Sequence, residues 1–298
     1  MRVVSLLPAA TEITFALGAG SDLVGRSHEC DFPAEAASLP VVSRPRLDPS
    51  RPGPEIHASV KALVERGLAI YEIDVALLAR LEPDVILTQD QCAVCAVPLS
   101  QVEAAARQAL ARDVAIVSLS PMSLADVRGD FFRVGCALGR NAAPMAAAFD
   151  AALEAVRLRL RTTPPPRVLG LEWLDPPMAA GNWFAELIAI AGGVPAVPPT
   201  ERTERISWEA IDAARPDLTI VAPCGFSLDR AMAVLARLPR RLPGRICAVD
   251  GNAYINRPGP RLADSAAIIA TALRGGRPEP GAWAWVDSAG MHGRSSRA

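Results

Sequence analysis

Apolar residues along this chain fall into two alternating rhythms. Short, nearly unbroken apolar runs occur at Val3–Leu7, Val85–Leu87, Val114–Leu119, Val168–Leu171, Leu218–Ile220 and Arg245–Val249, and their length and β-branched content predict buried strands. Between them, helices are predicted over Glu12–Leu17 and Phe184–Ala191, ending at Gly18 and at Gly192-Gly193, residues that tolerate a left-handed helix stop. Strands alternating with helices predict parallel sheets of the α/β class.

The pattern repeats. Asp74–Leu87 reads as a short helix, a Pro-Asp turn (Pro83-Asp84) and a buried strand, and Ser207–Ile220 reads the same way around Pro216-Asp217. In both copies the proline follows the first residue by nine positions, and a cysteine follows the strand, Cys92 in one and Cys224 in the other. The openings match as well: Arg2–Leu7, then Pro8 and a helix; Arg167–Glu172, then Pro176-Pro177 and a helix. Between the copies Phe131, Val134, Leu138, Met145, Phe149, Leu153, Val156 and Leu160 recur near helical spacing, interrupted at Asn141–Pro144 and ended by Pro164–Pro166. The expected organisation is an N-terminal α/β lobe over 1–122, a connector helix over 123–163, a C-terminal α/β lobe over 164–285 and a disordered tail over 286–298.

Composition narrows the function. The 298 residues are about twice a usual domain, and 31 basic against 32 acidic residues leave a net charge of −1, without the footprint of a nucleic-acid or anionic-membrane binder. Lysine occurs once, at Lys61, so no Gly-Lys-Ser/Thr phosphate loop exists. No apolar run approaches the ~18 residues of a spanning helix, so membrane insertion is not expected. The first apolar stretch stops at Pro8 and reads as a core strand rather than a secretory leader, so a cytoplasmic location with reduced cysteines is expected.

At this point the chain resembles the helical-backbone substrate-binding proteins that carry cobalamin, haem and iron–siderophores to ABC importers, above all their cobalamin-binding branch. The carrying residues are Arg2–Glu12, the two Pro-Asp strands and the connector, and the likeness spans roughly residues 1–275. It implies two Rossmann-like lobes with parallel sheets, joined by a long rigid connector helix that lets them move little around a ligand. Exported members of that family dock on the permease through one glutamate per lobe, seven residues before the strand's proline. Glu209 fills that position in the second lobe, but Ala76 stands there in the first, so permease docking through a symmetric pair is not expected. Ser27–Pro33, Thr88–Cys95, Ala222–Phe226 and Asp250–Arg261 resemble a distinct subgroup of the family with no settled activity to carry over.

In open α/β sheets ligands sit outside the carboxyl ends of the strands. The loops there contain Pro8, Thr11 and Glu12; His28, Glu29 and Cys30; Gln89, Cys92 and Cys95; Glu172 and Trp173; Cys224 and Phe226; and Asn252, Tyr254 and Arg257. Cys30, Cys92, Cys95 and Cys224 are expected to face one space between the lobes, with Cys92-x-x-Cys95 at chelating spacing. Four thiolates suit zinc or an iron–sulfur cluster, with His28 and Glu29 as further ligands; ordinary buried thiols and a redox pair at Cys92/Cys95 stay open beside that reading. Cys136 and Cys247, in the connector and in a strand, are expected to pack in cores. Trp173 and Trp183 offer faces on which a corrin ring could stack, or else pack the lobe. Arg257 suits a carboxylate or phosphate, the Pro8–Thr11 turn offers helix N–H groups to an anion, and His57 is expected in a surface loop. No Gly-x-Ser-x-Gly, His-Glu-x-x-His or Gly-x-Gly-x-x-Gly motif is present, and a His28–Cys30 nucleophile pair has no orienting partner. The reading is a cytoplasmic binding protein for a small-molecule or metal ligand: a cobalamin-like corrinoid, a metal chelate, a metal ion or an iron–sulfur cluster. A metal- or cluster-dependent enzyme using the same cysteines and an exported importer-binding protein are the alternatives.

Overall fold

The computed structural model describes residues 1–48, 50–65, 70–90, 97–159 and 164–286. The chain divides into two compact units, Met1–Ala148 and Phe149–Ala298. The first unit contains β1 (Val3–Ser5), α1 (Pro8–Ala16), β2 (Leu23–Arg26), β3 (Ser43–Pro45), α2 (Gly53–Glu65), β4 (Tyr71–Ile73), α3 (Val75–Leu81), β5 (Val85–Gln89), α4 (Leu99–Ala109), β6 (Ala115–Leu119) and α5 (Leu124–Ala137), and α6 (Ala143–Arg157) leads into the second. Its main sheet has the order β2-β1-β5-β6, parallel throughout, so all four carboxyl ends lie along one edge. β3 and β4 form a separate antiparallel ribbon. Val4, Leu6, Leu78, Ile86, Val97, Val102, Ala105 and Ala106 join strands and helices in one buried cluster.

The second unit contains β7 (Arg167–Leu174), β8 (Pro177–Ala179), α7 (Phe184–Ile190), β9 (Val194–Pro195), β10 (Glu204–Arg205), α8 (Trp208–Ala214), β11 (Leu218–Val221), α9 (Leu228–Leu235), β12 (Arg245–Val249), α10 (Leu262–Leu273) and β13 (Trp283–Val286). β7, β11 and β12 pair in parallel, as the sequence predicts. The sheet is nevertheless mixed at its edges, where β8 pairs antiparallel with β7, β10 antiparallel with β8, and β13 antiparallel with β12. The Asp175-Pro176 turn folds β8 straight back onto β7, so residues expected as a loop before a helix become a strand. A β-carbon at Gly170 would stand 2.0 Å from the Phe184 ring, so glycine is required where α7 crosses β7.

The interruption predicted at Asn141–Pro144 falls between two helices. Gly139 turns left-handed after α5, and Asn141 Oδ1 accepts the Ala143 N–H at 3.0 Å to start α6. Pro144 sits in the first turn, where its missing donor costs nothing. Two residues depart from expectation here. Cys136 is exposed because the buried face of α5 is Leu124, Val127, Phe131 and Val134, which turns Cys136 outward. His57 lies on α2, not in a loop.

The repeated Pro-Asp unit is one local structure built twice. Asp74 and Ser207 cap α3 and α8 through the N–H groups of Leu77 (2.8 Å) and Ala210 (3.1 Å). Both helices end on a left-handed residue, Glu82 (φ 42°) and Arg215 (φ 43°), because the following proline bars the right-handed helical conformation to its predecessor. The aspartate then clamps the first strand: Asp84 Oδ2 accepts the Arg2 N–H and Asp217 Oδ2 the Arg167 N–H, both at 2.7 Å. The two arginines answer by donating Nε to the Leu81 and Ala214 carbonyls at the helix ends. The Arg2 N–H bond, reinforced by Arg112, holds the Asp84 carboxyl below its usual range.

Asp130 is a buried and incompletely satisfied charge in the first unit. It lies on the buried face of α5, 1% exposed, with Oδ1 paired to Arg133 and Oδ2 buried without a hydrogen-bond partner. Burial pushes its carboxyl up to about 7 against the pull of Arg133. An acid with a raised folded pKa keeps its proton where the unfolded chain has lost it. The stability this contributes is fully present below the unfolded value of about 4 and is lost as pH rises through the folded value. The melting temperature should therefore fall from pH ~4 to ~8, and Asp130→Asn, which cannot ionise, should flatten the fall. Superimposable melting-temperature profiles for the two proteins would show that Asp130 does not titrate in this window.

Candidate functional site

At the carboxyl edge of the first sheet, α1 starts at Pro8, which fits the first helical turn. Thr11 does not face outward: it is fully buried, and its hydroxyl lies 2.9 Å from Ser5 Oγ and 3.0 Å from Cys30 Sγ. Ser27 Oγ approaches the same sulfur at 3.2 Å. Cys30 is thus enclosed by three hydroxyl-bearing residues rather than presented as a ligand. Glu12 and Gln89 are also buried, at 3% and 6% exposure.

His28, only two residues from Cys30, has different surroundings. Its Nδ1 lies 3.2 Å from Ser43 Oγ on β3, its ring stacks obliquely on Tyr71 of β4 at 5.2 Å, and Nε2 lies 3.9 Å from Glu29 Oε1. Burial lowers the imidazole's pKa, so the neutral form dominates at pH 7. Ser43 and Tyr71 are residues that sequence reasoning missed; the β3–β4 ribbon is too short and too polar to announce itself in a hydrophobic pattern.

At the carboxyl edge of the second sheet three loops are tied together by their backbones. The Cys224 N–H donates to Glu172 O at 3.1 Å, and the Asn252 N–H to Phe226 O at 3.1 Å. Asp250 accepts from the Leu228 and Ala253 N–H groups, which fixes the 250–257 loop against the start of α9. On this frame Trp173 meets Phe226 edge-to-face at 5.1 Å, and the Arg230 guanidinium lies over the Phe226 ring, 3.8 Å from its centroid. Glu172 accepts from Thr203. Arg257 is buried at 4% exposure and donates to Asn252 Oδ1. Tyr254 lies under Arg261, its phenol pKa raised chiefly by burial. Trp183 is 5% exposed and donates its indole N–H to Ile255 O at 2.8 Å, so it packs the unit. Cys224 is exposed on the turn just after β11.

The expected four-cysteine set is not assembled among the described residues. Cys92 and Cys95 lie outside them, Cys30 is enclosed, and no three His, Cys, Asp or Glu side chains gather as metal ligands. Of the two positions equivalent in the repeat, Glu209 and Ala76, both are exposed on the first turn of their helices and only one is charged.

The family model for periplasmic binding proteins matches residues 3–239. The chain belongs to the periplasmic binding protein family. The solved structure of the periplasmic haem-binding protein RhuT from Roseiflexus sp. RS-1 is 26% identical, with a TM-score of 0.63 over 91% of this chain and 97% of that one. A periplasmic haem-binding protein from Pseudomonas aeruginosa matches with a TM-score of 0.68 at 20% identity, over 96% and 98% of the two chains. The periplasmic vitamin B12-binding protein BtuF of Vibrio cholerae gives a TM-score of 0.59 at 19% identity, over 92% and 96%. No curated protein matches this periplasmic binding protein. Among its described residues no helix is long and apolar enough to cross a membrane.

Thiol reactivity checks this geometry. In the native protein Cys136 and Cys224 should react rapidly with iodoacetamide, whereas Cys30 and Cys247 should react only on unfolding, the Cys247 thiol being pushed up to about 12 by burial. Labelling of native Cys30 as fast as Cys136, read by peptide mass spectrometry, would contradict the enclosure by Thr11 and Ser27.

Proposed function

We propose that this chain is a substrate-binding protein for a planar metal–tetrapyrrole, haem or a corrinoid. The observation that carries the reading is the half-buried Trp173 at the carboxyl edge of the second sheet, backed edge-to-face by the buried Phe226, with Arg230 over the Phe226 ring and Tyr254 and Arg261 on the adjoining loop. A flat, apolar, polarisable ligand gains most from such a surface, through ring contact and through cations at its rim. The similar solved structures, of proteins that bind haem or vitamin B12, support the same ligand class. A cytoplasmic location belongs to this proposal, supported by free thiols at the exposed Cys136 and Cys224, which persist best in a reducing compartment. Docking on a permease through a pair of glutamates does not belong to this reading, because Ala76 stands where the counterpart of Glu209 would be.

Titration of the purified protein with haemin and, separately, with aquocobalamin tests this. One of the two should saturate at one ligand per chain with a shift in its visible spectrum. Trp173→Ala should weaken that ligand roughly 2- to 10-fold, the worth of one aromatic contact at ~0.5–1.5 kcal/mol, with an unchanged far-ultraviolet circular dichroism spectrum. Saturation by neither ligand would sink the proposal.

A further inference from the structure

β6 ends the first sheet, and its outer side is open. The Ala115 N–H donates to Asp84 O and Leu119 O accepts the Asp90 N–H, both at 3.1 Å, so the backbone groups of the odd-numbered residues face β5. Those of Ile116 and Ser118 point away from the sheet, and no hydrogen bond reaches them among the described residues. The opposite edge of the same sheet is closed: the Arg26 N–H donates to Pro40 O at 2.9 Å, and Arg26 O accepts the Val42 N–H at 2.8 Å.

An open row of N–H and C=O groups pairs with any strand that reaches it, so edge strands are ordinarily guarded by a charge, a proline or a bulge. β6 has none of these. Val114–Leu119 is uncharged and free of proline, and its register on β5 runs unbroken from Ala115 to Leu119. Ala115 is exposed, and Ile116, Val117 and Ser118 are half-buried. We propose that β6 is an interface between two copies of this chain, paired antiparallel edge to edge about Val117.

A two-fold axis through Val117, perpendicular to the sheet, sets Ile116 of one copy opposite Ser118 of the other. Residues facing each other in this way exchange both N–H···O=C bonds, so four bonds satisfy every open group of the two strands. The same axis lays α4 of one copy beside α4 of the other, antiparallel and on one face of the joined sheet. α4 packs through Val102, Ala105 and Ala106 into the cluster that Ile116 joins. Between α4 and the start of β6 runs a groove of about 550 Å³, lined by Glu103, Ala106, Arg107, Leu110, Val114 and Ile116. Its apolar wall suits burial between copies.

Its charges select the occupant. Glu103 and Arg107 stand one turn apart on α4, with Oε2 and Nη1 separated by 3.9 Å and both side chains exposed. Antiparallel helices related by the axis bring Glu103 of each copy toward Arg107 of the other. A patch that meets itself must be self-complementary in this sense, and a flank of one sign would repel its own copy. The interface lies along the side of the first sheet rather than at the strand ends, so it stands independently of the tetrapyrrole reading.

Sedimentation equilibrium of the full chain, from micromolar to sub-millimolar concentration, tests this. A reversible monomer–dimer equilibrium is expected. Glu103→Arg should weaken the dimer ~2- to 30-fold, because two exposed ion pairs are lost together, and adding Arg107→Glu should restore it. Hydrogen exchange should slow at the Ile116 and Ser118 amides in concentrated protein relative to dilute. In a Cys136→Ser, Cys224→Ser background, Val117→Cys should cross-link the copies on oxidation, since facing residues of a non-hydrogen-bonded pair stand ~4.5 Å apart. Ala115→Cys, ~14 Å from its counterpart at ~3.3 Å per residue, should not. Melting curves establish that each variant folds. A monomer at every concentration overturns the proposal, as does a polymer that grows without limit. So does a dimer indifferent to Glu103→Arg, one whose Ile116 and Ser118 amides exchange at the same rate at all concentrations, or one cross-linked by Ala115→Cys and not by Val117→Cys.

Discussion

Everything described at the sheet edges depends on how the first strand of each unit is anchored at its opposite end. Asp84 and Asp217 take the backbone N–H of Arg2 and Arg167, and the same arginines return a guanidinium bond to the end of the preceding helix in space. The main effect of these bonds is registration. With Arg2 held on Asp84, Val3 pairs with Val85 and Ser5 with Leu87; with Arg167 held on Asp217, Val168 pairs with Leu218 and Leu171 with Val221. A slip of one residue would turn the buried side chains of these strands to the wrong face. It would also displace every loop at the carboxyl edge.

The clamp explains why so much of the fold was legible. It demands an arginine at the strand start and a Pro-Asp pair after a short capped helix, and all of these are identifiable residues at fixed spacing. The strands at Val85–Gln89 and Leu218–Val221 therefore stood out, and Arg245–Val249 did so by its apolar run alone. Elements held by side-chain detail did not. The β3–β4 ribbon, the β7–β8 turn-back and β13 are three or four residues long or less regular than the core strands, and short antiparallel pieces carry little periodicity. Cys136 misled for a related reason: helical spacing shows that a helix has a buried face, but one residue of error in phase turns a side chain by about 100°.

The candidate site was legible by position more than by role. Strand-end logic selected the loops in which His28, Phe226 and Arg257 lie. It could not tell that Thr11 and Cys30 turn inward, because a hydroxyl beside a thiol looks the same in sequence whether both face solvent or each satisfies the other. Nor could it find Ser43 and Tyr71, which reach His28 from a different element. Trp183 shows the general difficulty with tryptophan: its indole N–H found the Ile255 carbonyl, and a large ring with a satisfied donor packs as well as it binds.

The two halves keep the clamp and diverge at the edge. The repeat therefore has two separable parts, a scaffold that registers strands and a set of loops whose chemistry differs between the copies. In the first unit the loops hold a buried thiol among hydroxyls and the His28–Glu29 pair beside Tyr71 of β4; in the second they hold rings and guanidinium groups around Phe226. The helix that precedes each clamp follows the same division. Its capping residue and its left-handed end are retained in both copies, whereas its exposed second position is alanine in one and glutamate in the other. Glu209 gains from sitting at a helix start, where backbone N–H groups and Ser207 hold its carboxyl below the usual range. Ala76 occupies the same ground with no charge to stabilise, so the asymmetry belongs to the surface and leaves the clamp beneath it unchanged.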